Sequence, residues 1–300
     1  MPDIMQRLLR PLGMGSRPNG LLGVEPLTAA SLSRLRLPWE SRLGTSVLVA
    51  HVAKHPDLAW RVSGTNDYAV GDTWQGRSDI GLIVEVMGRR HRLGLVETLL
   101  ASMRQAGARL AILSQDEQGR ALAFYRQLGW TSQEEVIVYR RPAGPAPAVP
   151  RRLALSPLTP SNLPALLTVE DAAFPWLWRF GASVFQHTSD SAGRRLFLAA
   201  LGPETIGYVM YTIHGDFGHV DRLAVHPRHQ SQGFGAELLA HALDWMARGG
   251  VASVGLSTQS GNLRSQRLYQ NFGFRRTGEK YSIYGKWLTH DAPGEISGTA

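Results

Sequence analysis

Leu223-Ala224-Val225-His226-Pro227-Arg228-His229-Gln230-Ser231-Gln232-Gly233-Phe234-Gly235 is a short apolar strand that runs into a turn rich in glutamine and glycine. The turn opens onto an amphipathic helix, with Leu238, Leu239, Ala242 and Met246 on one face. Such a strand, turn and helix start form a seat for a diphosphate. Successive backbone N–H groups point at one spot, and the positive end of the helix dipole backs them. Gly233 and Gly235 let the backbone approach phosphates without Cβ interference, and Gln230 and Ser231 carry side chains that donate hydrogen bonds. The turn lacks G-x-x-x-x-G-K-S/T, which excludes a P-loop, and it lacks the first glycine of G-x-G-x-x-G.

Downstream, Asn262-Leu263-Arg264-Ser265-Gln266-Arg267-Leu268-Tyr269-Gln270-Asn271-Phe272-Gly273-Phe274 places Asn262, Ser265 and Tyr269 at i, i+3 and i+7, one stripe of a helix. Gly273 is a helix-ending glycine, and Phe274 starts a strand. Val251 to Thr258 reads as a buried strand after the helix end at Gly249-Gly250. The order is therefore strand, turn, helix, strand, helix, strand. Both stretches resemble the signatures of the GNAT acetyltransferases, Q/R-x-x-G-x-G/A and N-x-x-S/A-x-x-x-Y-x-x-x-G-F/Y, and the resemblance covers about residues 151 to 289.

The first part of the chain repeats this pattern. Ile83-Val84-Glu85-Val86 and His91-Arg92-Leu93-Gly94-Leu95-Val96 parallel the strand and turn. A helix through Leu99, Leu100 and Met103 follows, then an apolar strand, Leu110 to Leu113, then Ala121 to Trp130 with Tyr125 in place. Three departures stand out: His91 replaces the glutamine or arginine, β-branched Val96 replaces the second small residue, and Gln118 stands where Asn262 does. Arg141 to Pro150 is rich in proline and alanine and reads as a semi-rigid linker. The expected organisation is a diverged GNAT-like domain at 1–141, a linker at 142–150, a GNAT domain at 151–289 and a tail at 290–300. The implied fold class is α/β (α+β), two tandem domains, each a mixed, mostly antiparallel sheet flanked by helices.

The chain has 300 residues, a net charge of +8 and no cysteine. Lys54, Lys280 and Lys286 are its only lysines, so arginine supplies nearly all the positive charge. CoA is polyanionic and accounts for basic residues near the turns; no zinc-finger spacing, RNP motif or long basic helix points to nucleic acid. Without cysteine there is no disulfide, thiol nucleophile or cysteine metal site, and neither HExxH nor an EF-hand pattern occurs. No metal is expected. There is no run of about twenty apolar residues and no secretory h-region before Gly23, so the expected location is cytoplasmic, away from any membrane. Oligomeric state stays open.

What the resemblance implies is acetyl transfer from acetyl-CoA, as cosubstrate, to an amine-bearing acceptor, with catalysis in the C-terminal domain. Leu223, Ala224 and Val225 would bind the pantetheine arm. Gln230, Ser231, Gln232, Gly233, Phe234, Gly235 and Ala236 would bind the diphosphate, and Asn262 and Ser265 would line the groove. Tyr269 would give its proton to the departing thiolate. His219 and Asp221 alternate onto one strand face, opposite Arg222, and either relays a proton from the amine or serves structurally, Asp221 pairing with an arginine. Glu170 to Trp176 resembles the acceptor-side loop of bacterial ribosomal-protein N-terminal acetyltransferases, which makes Phe174, Trp176 and His219 candidate acceptor contacts; core aromatics are the other reading. That subgroup carries glutamate where Ser257 stands, a departure that bears on a peptide N-terminus as acceptor. Tandem domains on a chain of this length also resemble the mycothiol synthases. A non-catalytic CoA-binding regulator is the alternative, against which Tyr269 argues.

Overall fold

The computed structural model describes residues 23–186 and 193–289. The expected tail at 290–300 and the arginine-bearing stretch before Gly23 lie outside them. Two compact units divide the chain: Met1–Val70 with Val86–Leu99, and Gly71–Glu85 with Leu100–Ala300. In the smaller unit β1 (Val24–Pro26) pairs antiparallel with β2 (Ala59–Val62), and β2 with the first residues of β3 (Tyr68–Trp74). Helix α1 (Ala29–Leu32) opens on a capping box between Thr28 and Ser31, and α2 is Thr45–Lys54. Leu32, Leu48, Val52, Val62 and Tyr68 are buried.

The larger unit holds most of β4 (Arg77–Met87), the end of α3 (Arg92–Gln105), β5 (Leu110–Leu113), α4 (Gln115–Gln127) and β6 (Thr131–Pro142). There follow β7 (Ala154–Pro157), α5 (Leu163–Ala173), α6 (Ala182–Gln186), β8 (Arg194–Leu201), β9 (Glu204–His214) and β10 (Phe217–Val225). Helix α7 (Phe234–Arg248), β11 (Ser253–Gln259), α8 (Leu263–Asn271) and β12 (Arg275–Trp287) complete it. Leu238, Leu239, Ala242 and Met246 of α7 are buried as their spacing predicts. Gly250 (φ +74°) and Gly273 (φ +79°) follow the ends of α7 and α8 in the left-handed conformation that glycine adopts without strain.

The sheet of this unit runs β4-β5-β12-β6-β11-β10-β9-β8-β7. Only two of these pairings are parallel, β4 with β5 and β10 with β11, one in each sequence repeat. Read from the sequence, each repeat has a sheet of its own. In the structure their last strands cross: β6, which ends the first repeat, lies between β11 and β12, while β12, which ends the second, lies between β6 and β5. Strand pairing at long range is not encoded in local periodicity, so nothing in the chain's pattern announces this exchange. One apolar cluster accordingly mixes the repeats, with Ile80, Leu110, Ile112 and Val136 beside Leu177 and Ile283. Residues 142–150, read as a linker, lie inside this unit, where Ala143, Ala146 and Val149 rest on the core beneath α7. Among the described residues no helix is long and apolar enough to cross a membrane.

Helix α5 packs on one face of β9 and β10, over Tyr208, Met210 and Ala224, and α7 covers the other, over Val209, Tyr211, Val220 and Val225. His241 on α7 lies edge-on to Phe197 with centroids 5.0 Å apart, and its Nε2 is buried without a partner. Burial, reinforced by the Arg151 charge, pushes its imidazole below the usual histidine range. The fold therefore holds His241 neutral, while the unfolded chain takes up a proton below about pH 6.5, so stability falls as pH drops through that value. Thermal melts between pH 7.5 and 5 are expected to show this loss, and His241→Phe to flatten it. An identical slope in the variant assigns the loss elsewhere.

Candidate active site

The parallel pairing of β10 with β11 runs from Phe217 opposite Ser253 to Val220 opposite Leu256 and stops there. At that point β10 carries one residue more than β9: Val220 faces Tyr211 and Arg222 faces Met210, which leaves Asp221 in a bulge. Beyond it β10 and β11 separate. His226 N–H donates to Ile206 O at 2.7 Å, so by alternation the N–H groups of Ala224 and Arg222 face β9 and those of Leu223 and Val225 face the open edge.

The bulge corrects one expectation. Strict alternation sets Arg222 opposite His219 and Asp221, but the extra residue turns Arg222 to the α5 side. Its guanidinium there bonds Glu170 and the Trp178 carbonyl, with Nε 3.4 Å from Tyr208 Oη. Asp221 shares that side: its Oδ2 accepts from Thr212 Oγ1 at 2.5 Å, and its Oδ1 lies 2.8 Å from His219 Nδ1. Arg194 Nε stands 3.8 Å away. The side chains of Asp221 and His219 are 19% and 38% exposed, so the pair opens to solvent and is brought together as the sequence predicts. The arginine of the structural reading is present as well, at the longer distance.

After β10 a short 3-10 turn, Pro227–His229, leads to Gln230. Ser231 (φ +61°) and Gly233 (φ +89°) are both left-handed, and α7 starts at Phe234. This winding leaves the N–H groups of Ser231 to Ala236 without an acceptor among the described residues; the first in the helix to be used is Glu237 N–H, on Gly233 O at 3.1 Å. Gln230 Nε2 donates to Val225 O at 2.9 Å and so ties turn to strand, while Gln232 Nε2 reaches Arg228 O at 3.3 Å. Arg152 was not singled out in the sequence, where it is one of a short basic pair. Its Nη2 donates to Gln232 O at 2.6 Å, and its guanidinium lies 4.3 Å from the Phe234 ring, which sets a cation at the same turn. A Cβ on Gly235 would meet nothing nearer than Leu268 Cδ2 at 3.5 Å, an ordinary contact. Protein packing thus gives no reason for glycine there.

Asn262 is the N-cap of α8, its Oδ1 accepting from Ser265 N–H at 3.1 Å. Tyr269 is 7% exposed, with its ring 6.2 Å from Tyr139 and 6.1 Å from Phe274. Burial pushes its phenol up to about 12, against the pull of a hydrogen bond with Ser265 and of the Arg222 charge. The two aromatic candidates part company. Phe174 lies on Arg222, ring centroid 3.5 Å from the guanidinium carbon, one residue along from Asp221. Trp176 instead donates to Asp79 Oδ2 at 2.7 Å, stacks on Trp287 at 5.8 Å and joins the cluster of Ile80 and Leu110, so the structure does not place it with Asp221 and Tyr269. Ser257 lies on β11, beyond the end of the parallel pairing.

The first repeat's counterpart is wound differently. Helix α3 starts at Arg92, two residues before Gly94, so Leu95 N–H is already used on His91 O. His91 Nδ1 lies 2.6 Å from Asp67 Oδ2, and Arg92 Nη2 turns inward to Val86 O at 2.9 Å. A carboxylate thus occupies the neighbourhood of the turn. Tyr125, retained in sequence, is fully buried and donates to buried Glu117 at 2.7 Å.

The second repeat thus brings together a parallel strand pair that parts at a bulge, a glycine turn with open N–H groups and a buried tyrosine beyond them. Residues 163–274 match the model of the Acetyltransferase (GNAT) family. The [Ribosomal protein bS18]-alanine N-acetyltransferase of Escherichia coli K12 is 28% identical over 134 residues, 43% of this chain and 86% of that protein. The mycothiol acetyltransferase of Rhodococcus erythropolis is 24% identical over 263 residues, 81% of this chain and 80% of that one. A solved tandem GNAT protein from the clavulanic acid biosynthesis pathway superposes with a TM-score of 0.52 at 15% identity, covering 90% of this chain and 99% of that chain. The last likeness concerns the fold, two GNAT-like domains in tandem.

Proposed function

We propose that the second repeat, residues 151–289, transfers acetyl from acetyl-CoA to a primary amine. One observation carries the reading: the open N–H groups of Ser231 to Ala236, with Arg152 beside them, lie next to the free edge of β10. Six donors and a helix N-terminus converging without a protein acceptor suit a diphosphate. Along the free edge, Leu223 N–H is placed to hold the negative charge that develops on the thioester oxygen; one preorganised donor of this kind accounts for about 3 kcal/mol of barrier. Asp221, with His219 at its Oδ1, accepts the proton that the amine must lose before it attacks. Tyr269 supplies a proton to the sulfur as the carbon–sulfur bond breaks, and the second proton that leaves the nitrogen as the amide forms returns to the phenolate, so the products are the amide and a neutral thiol. The first repeat, its turn wound into α3 and its tyrosine spent on Glu117, binds no second cosubstrate.

The test is free-thiol release from acetyl-CoA in a panel of amines, aminoglycosides and peptide N-termini. Release with at least one acceptor supports the reading, and silence across a broad panel favours the non-catalytic regulator. Titration calorimetry is expected to give one acetyl-CoA per chain. Gly235→Val should weaken that binding about tenfold or more, since a branched side chain crowds the phosphates, whereas the fold has room for the Cβ. Unchanged affinity in that variant would move the diphosphate away from this turn.

A further inference from the structure

We propose that Tyr139, carried by the last strand of the first repeat, is a positioning residue for Tyr269 of the second. The inference rests on the reading of Tyr269 as proton donor. Tyr139 is completely buried on β6, in the strand exchanged into the second repeat, and its ring stands 6.2 Å from that of Tyr269. Its hydroxyl donates to Gln266 Oε1 at 3.3 Å and accepts from Arg276 Nε at 3.1 Å. Arg276 Nη2 donates to the same Gln266 oxygen at 2.7 Å.

Gln266 is one turn before Tyr269 on α8 and is itself buried. Its Nε2 donates to the carbonyls of Gln259 and Ser260 at 3.2 and 2.8 Å, which fastens the helix to the end of β11. Every polar atom of this amide is thereby used. Helix α8 is only nine residues long, too short to hold a fixed pose by itself. The triangle of Tyr139, Gln266 and Arg276 sets how far α8 lies over the end of β11, and with it where the Tyr269 hydroxyl arrives. The first repeat thus supplies an oriented group to the second repeat's site, although it has no cosubstrate site of its own.

The test is a double-mutant cycle on the full chain with Tyr139→Phe and Tyr269→Phe. Tyr139→Phe keeps the ring in the core and is expected to lower kcat about tenfold with KM for acetyl-CoA within about twofold, as a small misplacement of a reacting group does. In the Tyr269→Phe background the same change should have almost no further effect, because it acts through the phenol. Equal losses in both backgrounds, or wild-type turnover in Tyr139→Phe, would overturn the proposal. Wild-type turnover in Tyr269→Phe alone would instead overturn the donor reading on which it stands. Should Tyr139→Phe fail to fold, Gln266→Met, which removes the shared acceptor, enters the same cycle with the same expectations.

Discussion

Tyr269→Phe is expected to lower kcat by about a hundredfold or more while KM for acetyl-CoA stays within about twofold, the range that general-acid groups supply. The substitution removes one oxygen and leaves the ring among Tyr139, Phe272 and Phe274, so the fold and the cosubstrate turn stay in place. Steady-state kinetics together with a direct binding measurement separate the two quantities. A parallel loss of binding would make Tyr269 a cosubstrate contact, and no loss of turnover would remove it from the chemistry. The pH dependence adds a second check. With its phenol pushed up to about 12, Tyr269 keeps its proton throughout the neutral and moderately alkaline range, so any fall in rate below pH 10 belongs to another group. The folded value lies above that of the unfolded chain, about 10. Its contribution to stability is therefore complete below pH 10 and is lost as pH rises towards 12.

Glu170→Ala is expected to give the largest loss of stability, about 3–5 kcal/mol, because it leaves the Arg222 charge buried and unpaired. Both carboxylate oxygens are committed: one takes the Arg222 guanidinium and Phe180 N–H, the other the Tyr208 hydroxyl and Arg222 Nε. Neither side chain of the ion pair is more than 6% exposed. For a chain of this size such a loss lowers Tm by about 10 °C. Replacing both partners, Glu170→Leu with Arg222→Met, should lie closer to wild type than either single change, since no lone charge remains. A melting point within about 2 °C of wild type for Glu170→Ala would show that water reaches Arg222 and that the pair is not sealed.

Much of the second repeat was legible. The glycine turn, the α7 stripe and the cap of α8 follow from local periodicity and from glycines that occupy left-handed positions, and both are properties of neighbouring residues. Leu110 to Leu113 is the same strand in the sequence reading and in the structure. What was not legible depends on contacts far apart in the chain. The bulge at Asp221 adds a residue against β9, and a period of two cannot reveal it until the partner strand is known. Glu170 reads as the start of an acceptor loop and is the buried counter-ion of a residue 52 positions away. Arg152 gains its place only because the segment after β6 folds back over α7. Trp176, grouped with Phe174 by adjacency, is carried to another cluster by a three-residue 3-10 turn.

The crossing of β6 and β12 is the arrangement that two identical subunits adopt when each lends its terminal strand to the other. A gene duplicated and fused from such a swapped homodimer would inherit it, with residues 143–153 as the tether that made the loan permanent. Neither copy is then released by a change in its own chemistry, because the sheet of each includes the last strand of the other. Each repeat is free to change its chemistry and is not free to leave.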